Sequence, residues 1–192
     1  MIEKTLVLLK HDTVTRGLVG EIITRVEKAG LKIIAMKMIL ANRELAEQHY
    51  PVTEEWYKKV GKNTLDDSKK YGISAKEAIG TEEPLEIGKK VHVWNVDYLT
   101  SGPVIAIVLE GIHAIETIRK LAGETVPNKA LPGTIRGDFA TTSALHSNSE
   151  NRAIYNLVHS SGNKEEAEHE INLWFTKEEL HSYTHSHDSF TK

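Results

Sequence analysis

The chain has 192 residues, 40% hydrophobic and 27% charged, with a formal net charge of −3. This composition suits a globular chain long enough to bury a core, and it excludes a disordered protein, long apolar membrane spans and a global pull toward nucleic acid or anionic lipid. No cysteine is present, which removes disulfide frameworks, zinc–thiolate sites and cysteine nucleophiles.

In chain order, the N-terminus places acidic Glu3 ahead of its apolar run and offers no small-residue cleavage site, so it reads as a strand and the protein is expected in the cytoplasm. TLVLLK (5–10) is a buried strand with a turn-like HDT after it. In TRGLVGEIITRVEKAG (15–30), Leu18, Ile22 and Val26 recur every four residues, which predicts an amphipathic helix ended by Gly30. LKIIAMKMIL (31–40) predicts a second strand, although its two lysines fall on opposite parities. RELAEQHY (43–50) is a short helix stopped by Pro51. Residues 53–99 are polar and weakly periodic, with a helical turn expected at SAKEAIG and a strand at VHVWNVDYL. PVIAIVLEG (103–111) and HAIETIRKLAG (113–123) predict a second strand–helix pair. Residues 143–155 carry the Ser/Asn/Glu chemistry of a loop. NLVH then reads as a short strand and NKEEAEHEINLWF (163–175) as a helix, opened by Asn163 and Glu166 at capping-box spacing.

Strand, helix, strand, twice over, predicts an α+β fold, the ferredoxin-like split βαβ sandwich: an antiparallel sheet with a helical layer packed on one face. The chain is expected to form a single domain over 1–192, with 53–99 and 143–155 as insertions in it.

His159 ends the last strand and precedes SSGN at the start of a helix, where the helix dipole favours phosphate. A neutral imidazole is a competent nucleophile; taken alone, a hydrogen-bonded loop histidine is the commoner outcome. Glu170 borders the apolar stripe Ala167, Ile171 and Trp174, where a carboxylate can fix the imidazole's tautomer. Lys10, Arg119 and Arg136 could match the charge of a nucleoside triphosphate if they converge, and two glycines bracket Arg136 in PGTIRGDF. No P-loop or GxGxxG cradle is present. The histidines in HSYTHSHD (181–188) suggest adventitious metal binding, and Trp56, Tyr57 and Trp94 are either core or base-stacking residues.

The stretches TLVLLKHDTVTRGLVGEIITRVEKAGLKI, SGPVIAIVLEG, LAGETVPNKALPGTIRGDF, NLVHSSGN and AEHEINLWF together resemble the nucleoside diphosphate kinase family over residues 4–50, 101–142 and 156–183. The resemblance implies ping-pong transfer of a γ-phosphate from a nucleoside triphosphate to a nucleoside diphosphate. It implies His159 as the nucleophile, Glu170 as its orienting carboxylate, Ser161 as an assisting hydroxyl, Lys10 on the phosphates and Tyr50 near the reactive centre. Arg119, Thr125 and Arg136 would hold phosphates and ribose, and Asn156 the sugar. It also implies Mg2+ on the nucleotide, no dedicated protein metal site, and a homo-oligomer, tetramer or hexamer, without nucleic acid or membrane partners. His11, Ser160 and Val126 depart from the family pattern without removing a reactive group, and a longer helical hairpin ending near Leu99 replaces the family's base clamp, with Trp56 or Tyr57 as substitutes for its stacking residue. The alternative reading is a catalytically weak nucleotide- or nucleic-acid-binding regulator of the same fold.

Overall fold

A computed structural model describes residues 2–50, 52–186 and 188–191, so Pro51, read as a helix stop, lies outside the described residues. Four strands, β1 (Ile2–Leu9), β2 (Lys32–Leu40), β3 (Pro103–Ile112) and β4 (Val158–Ser160), form one sheet in the order β2-β3-β1-β4, with every neighbour antiparallel. The strands of each βαβ unit are thus separated by a strand of the other, the expected split arrangement.

The helices are α1 (His11–Thr15), α2 (Val19–Lys28), α3 (Arg43–His49), α4 (Glu54–Lys70), α5 (Ala75–Ile79), α6 (Pro84–Thr100), α7 (Ala114–Ala122), α8 (Ile135–Phe139), α9 (Ala144–Ser149), α10 (Lys164–Trp174) and α11 (Asp188–Thr191). They cover both faces of the sheet, which corrects the expected single layer. Leu6 and Leu8 join Ala46, Val96, Ile171 and Trp174 in one core, while Val7 and Leu9 join Ile22, Val26, Ile118 and Leu157 in the other. An apolar run without polar alternation is what a strand buried on both faces requires.

The helix read over 15–30 is α2, which starts only at Val19 because Gly17 takes φ +67° between it and α1, and HDT belongs to α1 instead of a turn. In β2 a bulge between Ile33 and Ala35 shifts the register by one residue. It places both lysines on the same face: Lys32 pairs with Glu110 at 2.6 Å and Lys37 with Glu179 at 2.7 Å.

Residues 53–99 form a helical hairpin, and the strand expected at 91–99 is the second half of α6. Its valines suggested a strand, but packing against the sheet decides here: Val96 and Leu99, one helical turn apart, are buried in the core with Leu6 and Leu8. The two arms touch backbone to backbone. A Cβ on Gly61 would lie 2.0 Å from the Pro84 carbonyl oxygen, and one on Gly88 would lie 2.2 Å from that of Tyr57. The presumed loop at 143–155 contains α9, capped by the Ser143 hydroxyl.

Candidate active site

The centre of the site is set by how β4 enters the sheet. Leu157, fully buried, sits at φ +68°, a conformation that a bulky side chain keeps only when its surroundings hold it there. Its N–H donates to Asp12 Oδ2 at 3.2 Å, and its carbonyl accepts from the Lys10 N–H at 2.8 Å and the Thr13 hydroxyl at 2.6 Å. The next turn of the chain pairs His159 with Leu8. Strand alternation then points His159 toward α3 and α10, and Ser160 to the opposite face.

His159 Nε2 lies 2.8 Å from Glu170 Oε1, and the Ser161 hydroxyl donates to Glu170 Oε2 at 2.6 Å. Ser161 Oγ also accepts from the Leu6 N–H at 3.2 Å, so it anchors the carboxylate to β1. A carboxylate that accepts at Nε2 fixes the proton there and leaves the Nδ1 lone pair free. Burial, then Lys10, Arg136 and Arg119, push the His159 pKa down to about 3, so the ring is neutral at ordinary pH. Burial raises the Glu170 pKa, restrained by His49 and the Ser161 bond.

His49 was not anticipated. Its side chain is wholly buried, its ring stands edge-on to His159 with centroids 4.4 Å apart, and its Nδ1 accepts from the Trp174 indole at 3.3 Å. Burial, and then His159, hold its pKa well below 6.5. The signal was available in QHY: two adjacent rings closing a short helix. Tyr50 reaches the same place, its ring centroid 6.5 Å from that of His159, and burial raises its phenol pKa.

Lys10, almost fully buried, directs Nζ onto Asn156 Oδ1 at 2.8 Å and over the Tyr98 ring at 4.8 Å. Tyr98, delivered by α6, donates its hydroxyl to Asp12 Oδ1 at 2.5 Å. Asp12 and Tyr98 were both missed, although each sits beside a singled-out motif, in KHD and in DYLTSGP. Asn156 completes the frame by donating Nδ2 to the Thr125 carbonyl at 2.9 Å.

Arg136 donates to three backbone carbonyls, those of Asn156, Gly123 and Val158, at 3.1, 2.7 and 2.7 Å. It therefore braces the entrance to β4 as well as lending charge, and burial lowers its pKa to about 10. The bracketing glycines are required: Gly133 takes φ +88°, and a Cβ on Gly137 would lie 2.0 Å from the Leu131 carbonyl oxygen. Arg119 and Thr125 are exposed on the rim, where they line a cleft of about 320 Å³ with Arg136, Thr134 and Ser160. A second cavity of about 650 Å³ runs from Lys10, Thr125 and Asn156 between the helical hairpin and the α9 segment, with Trp56 and Trp94 in its wall. Tyr57 instead packs its ring beside Trp56 and His92.

Lys10, Tyr50, Arg136, Asn156, Ser161 and Glu170 are therefore gathered around His159, Arg119 and Thr125 lie on the rim, Trp56 and Trp94 line the wider cavity, and Tyr57 and the tail histidines lie apart. Residues 181–183 run along β2, where the His181 N–H donates to the Ile34 carbonyl, and His187 lies outside the described residues. A three-donor cluster that could hold a metal among the described residues is His49, His159 and Glu170. Chemically, a neutral imidazole with one nitrogen fixed and the other free, beside a buried ammonium and two guanidinium groups, is equipped for nucleophilic attack on a phosphate anion.

Fold and site thus define an α+β protein with a neutral imidazole held against a carboxylate beside buried cationic side chains. The chain matches the family model for nucleoside diphosphate kinase over residues 3–75 and 84–180. It is 49% identical to a nucleoside diphosphate kinase of Pyrobaculum aerophilum over 93% of this chain and 98% of that protein, and 42% identical to one of Pyrococcus furiosus over 98% and 92%. A crystal structure of an NDP kinase from P. aerophilum superposes with a TM-score of 0.89 at 47% identity, covering 94% of this chain and 99% of that one. A nucleoside-diphosphate kinase from Borrelia burgdorferi, a transition-state mimic with bound vanadate and ADP, gives 0.79 at 33% identity over 99% and 96%. The chain belongs to the nucleoside diphosphate kinase family.

Proposed function

We propose that the chain is a nucleoside diphosphate kinase that passes a γ-phosphate from a nucleoside triphosphate to a nucleoside diphosphate through a phosphohistidine at His159. The observation that carries this reading is the 2.8 Å bond between His159 Nε2 and Glu170, which leaves Nδ1 as the nucleophile. In the first half-reaction Nδ1 attacks the γ-phosphorus; the N–P bond forms as the bond to the β-phosphate oxygen breaks, and a nucleoside diphosphate leaves. The proton stays on Nε2, where the Glu170 carboxylate balances the charge the ring acquires. The second half-reaction is the reverse with a different diphosphate. Because one nucleotide occupies the site at a time, phosphates and sugar are the shared handles.

Lys10, Arg119 and Arg136 supply the cationic field for the transferring and leaving phosphates, Thr125 and Asn156 face phosphate and sugar, Ser161 holds Glu170, and Tyr50 walls the nucleophile. The vanadate and ADP held by the Borrelia protein are the kind of ligand pair such a half-reaction requires.

Magnesium belongs to this reading as an ion carried on the nucleotide. Mg2+ takes oxygen ligands and is commonly bound through substrate phosphates, whereas the His49, His159 and Glu170 cluster is nitrogen-rich and engaged with the nucleophile. On the phosphates the ion supplies charge neutralisation. A homo-oligomer, tetramer or hexamer, is supported by the edge strand β2, which exposes Met36, Met38 and Leu40 at 53%, 56% and 69%. No helix of the described residues is long and apolar enough to cross a membrane. A cytoplasmic location and the absence of nucleic acid partners belong to the same proposal.

The test is incubation with γ-labelled ATP and Mg2+. The wild type is expected to acquire an acid-labile, base-stable label that moves to added nucleoside diphosphate. No label, or equal label on His159→Ala, overturns the reading.

A further inference from the structure

The wider cavity contains a polar side chain that no contact within the protein explains. Asn148, the fifth residue of α9, is only 6% exposed and lines the cavity beside Trp56, Trp94, Asp67 and Arg152. Among the described residues its carboxamide has no hydrogen-bond partner. Asn156, equally buried, has both ends of its amide bonded, to Lys10 and to the Thr125 carbonyl. The neighbour of Asn148 is also satisfied: the Ser147 hydroxyl bonds Thr142 and Arg152. These bonds pin α9 to its surroundings while Asn148 is left facing the cavity. Its amide atoms keep contact with the cavity, so a ligand that fills the cavity meets a free donor and a free acceptor there.

The cavity is polarised along its length. One end holds Lys10, Thr125 and Asn156, the phosphate and sugar end of the proposed site, and the rest includes two indoles on which a flat ring can stack. We propose that Asn148 reads the edge of the nucleotide base in this cavity, which rests on the chain being a nucleoside diphosphate kinase. Each base carries a neighbouring hydrogen-bond donor and acceptor on one edge. A carboxamide, with one of each, meets them all by turning about its terminal torsion. Asn148 is therefore a permissive reader: it accepts every base with such a pair and discriminates against a base lacking one member.

The experiment compares ADP with purine riboside diphosphate, which lacks the 6-amino group, as acceptors from preformed phosphoenzyme. In the wild type kcat/KM is expected to favour ADP by about tenfold, the worth of one hydrogen bond. In Asn148→Leu the ratio is expected to fall to about one, while phosphorylation by inorganic tripolyphosphate, which has no base, keeps its wild-type rate and reports the fold. Asn148→Asp, which accepts but does not donate, keeps one bond to each base and is expected to lower kcat/KM for ADP and UDP alike. Equal ratios in wild type and Asn148→Leu overturn the inference. Loss of labelling in the wild type itself would instead overturn the kinase reading.

Discussion

Lys10 shows how one side chain links stability to ligand. Burial, then the Arg136 charge, lower its pKa from 10.5 to about 7, with Asp12 opposing. In the unfolded chain it holds its proton up to its ordinary value, so between about pH 7 and 10.5 the folded, empty site is the state that has lost it, and stability rises with pH across that window. In the proposed role of Lys10, a bound phosphate restores the ammonium form. Nucleotide binding at pH 8.5 is therefore expected to take up about one proton at Lys10, measured by calorimetry in buffers of different ionisation enthalpy, and Lys10→Met removes the uptake; binding without uptake in the wild type contradicts this. At this scale the sequence was informative where spacing carries meaning: Glu170 follows His159 by eleven residues and abuts an apolar stripe. It was silent on His49 and Tyr98, which reach the site only because α3 and α6 fold back over the sheet. Ser160, a departure from the family pattern next to His159, is turned by strand alternation to the other face, into the cleft with Arg119.

Among the elements, the long hairpin most changes the expectation. A lysine-rich, weakly periodic segment hid two 17-residue helices, because their stability comes from Gly61 and Gly88 allowing backbone contact and from Tyr98 docking on Asp12, none of which is a periodic signal. By contrast α2 and α7, whose apolar residues fall on a regular stripe, were legible within a few residues. Gly88→Ala is expected to force the arms apart, lowering stability by about 1–3 kcal/mol as overpacking does. Because Trp56 and Trp94 line the cavity from α4 and α6, the same change is expected to raise KM for nucleotides while the rate of phosphorylation by tripolyphosphate is retained. A variant with unchanged melting temperature and KM would show that the close crossing is dispensable.

At the scale of the whole molecule, α3, β4 and α10 meet at one group of rings, His49, His159 and Trp174, and this has a consequence for acid stability. His49 and His159 are both held neutral by burial, whereas each unfolded histidine binds a proton near pH 6.5. The unfolded chain therefore takes up more protons as pH falls below 6.5, and stability drops by up to about 1.4 kcal/mol per pH unit for each histidine. Glu170 works the other way, since its raised pKa lets the folded carboxyl gain a proton first on acidification. Urea unfolding is expected to show a falling midpoint from pH 7 to 5.5, with a shallower fall in His49→Phe; a flat profile contradicts the buried, neutral pair. The fold order was legible because the two strand–helix–strand units are separated by clear breaks, whereas a single helical layer was expected despite the unbroken apolar run of β1, which both cores require. The central claim is that Glu170 holds His159 by Nε2 so that Nδ1 reacts, and the most direct measurement is the isomer of phosphohistidine recovered after labelling. Phosphate on Nδ1 of His159 is the predicted result; phosphate on Nε2, or on another residue, would contradict it.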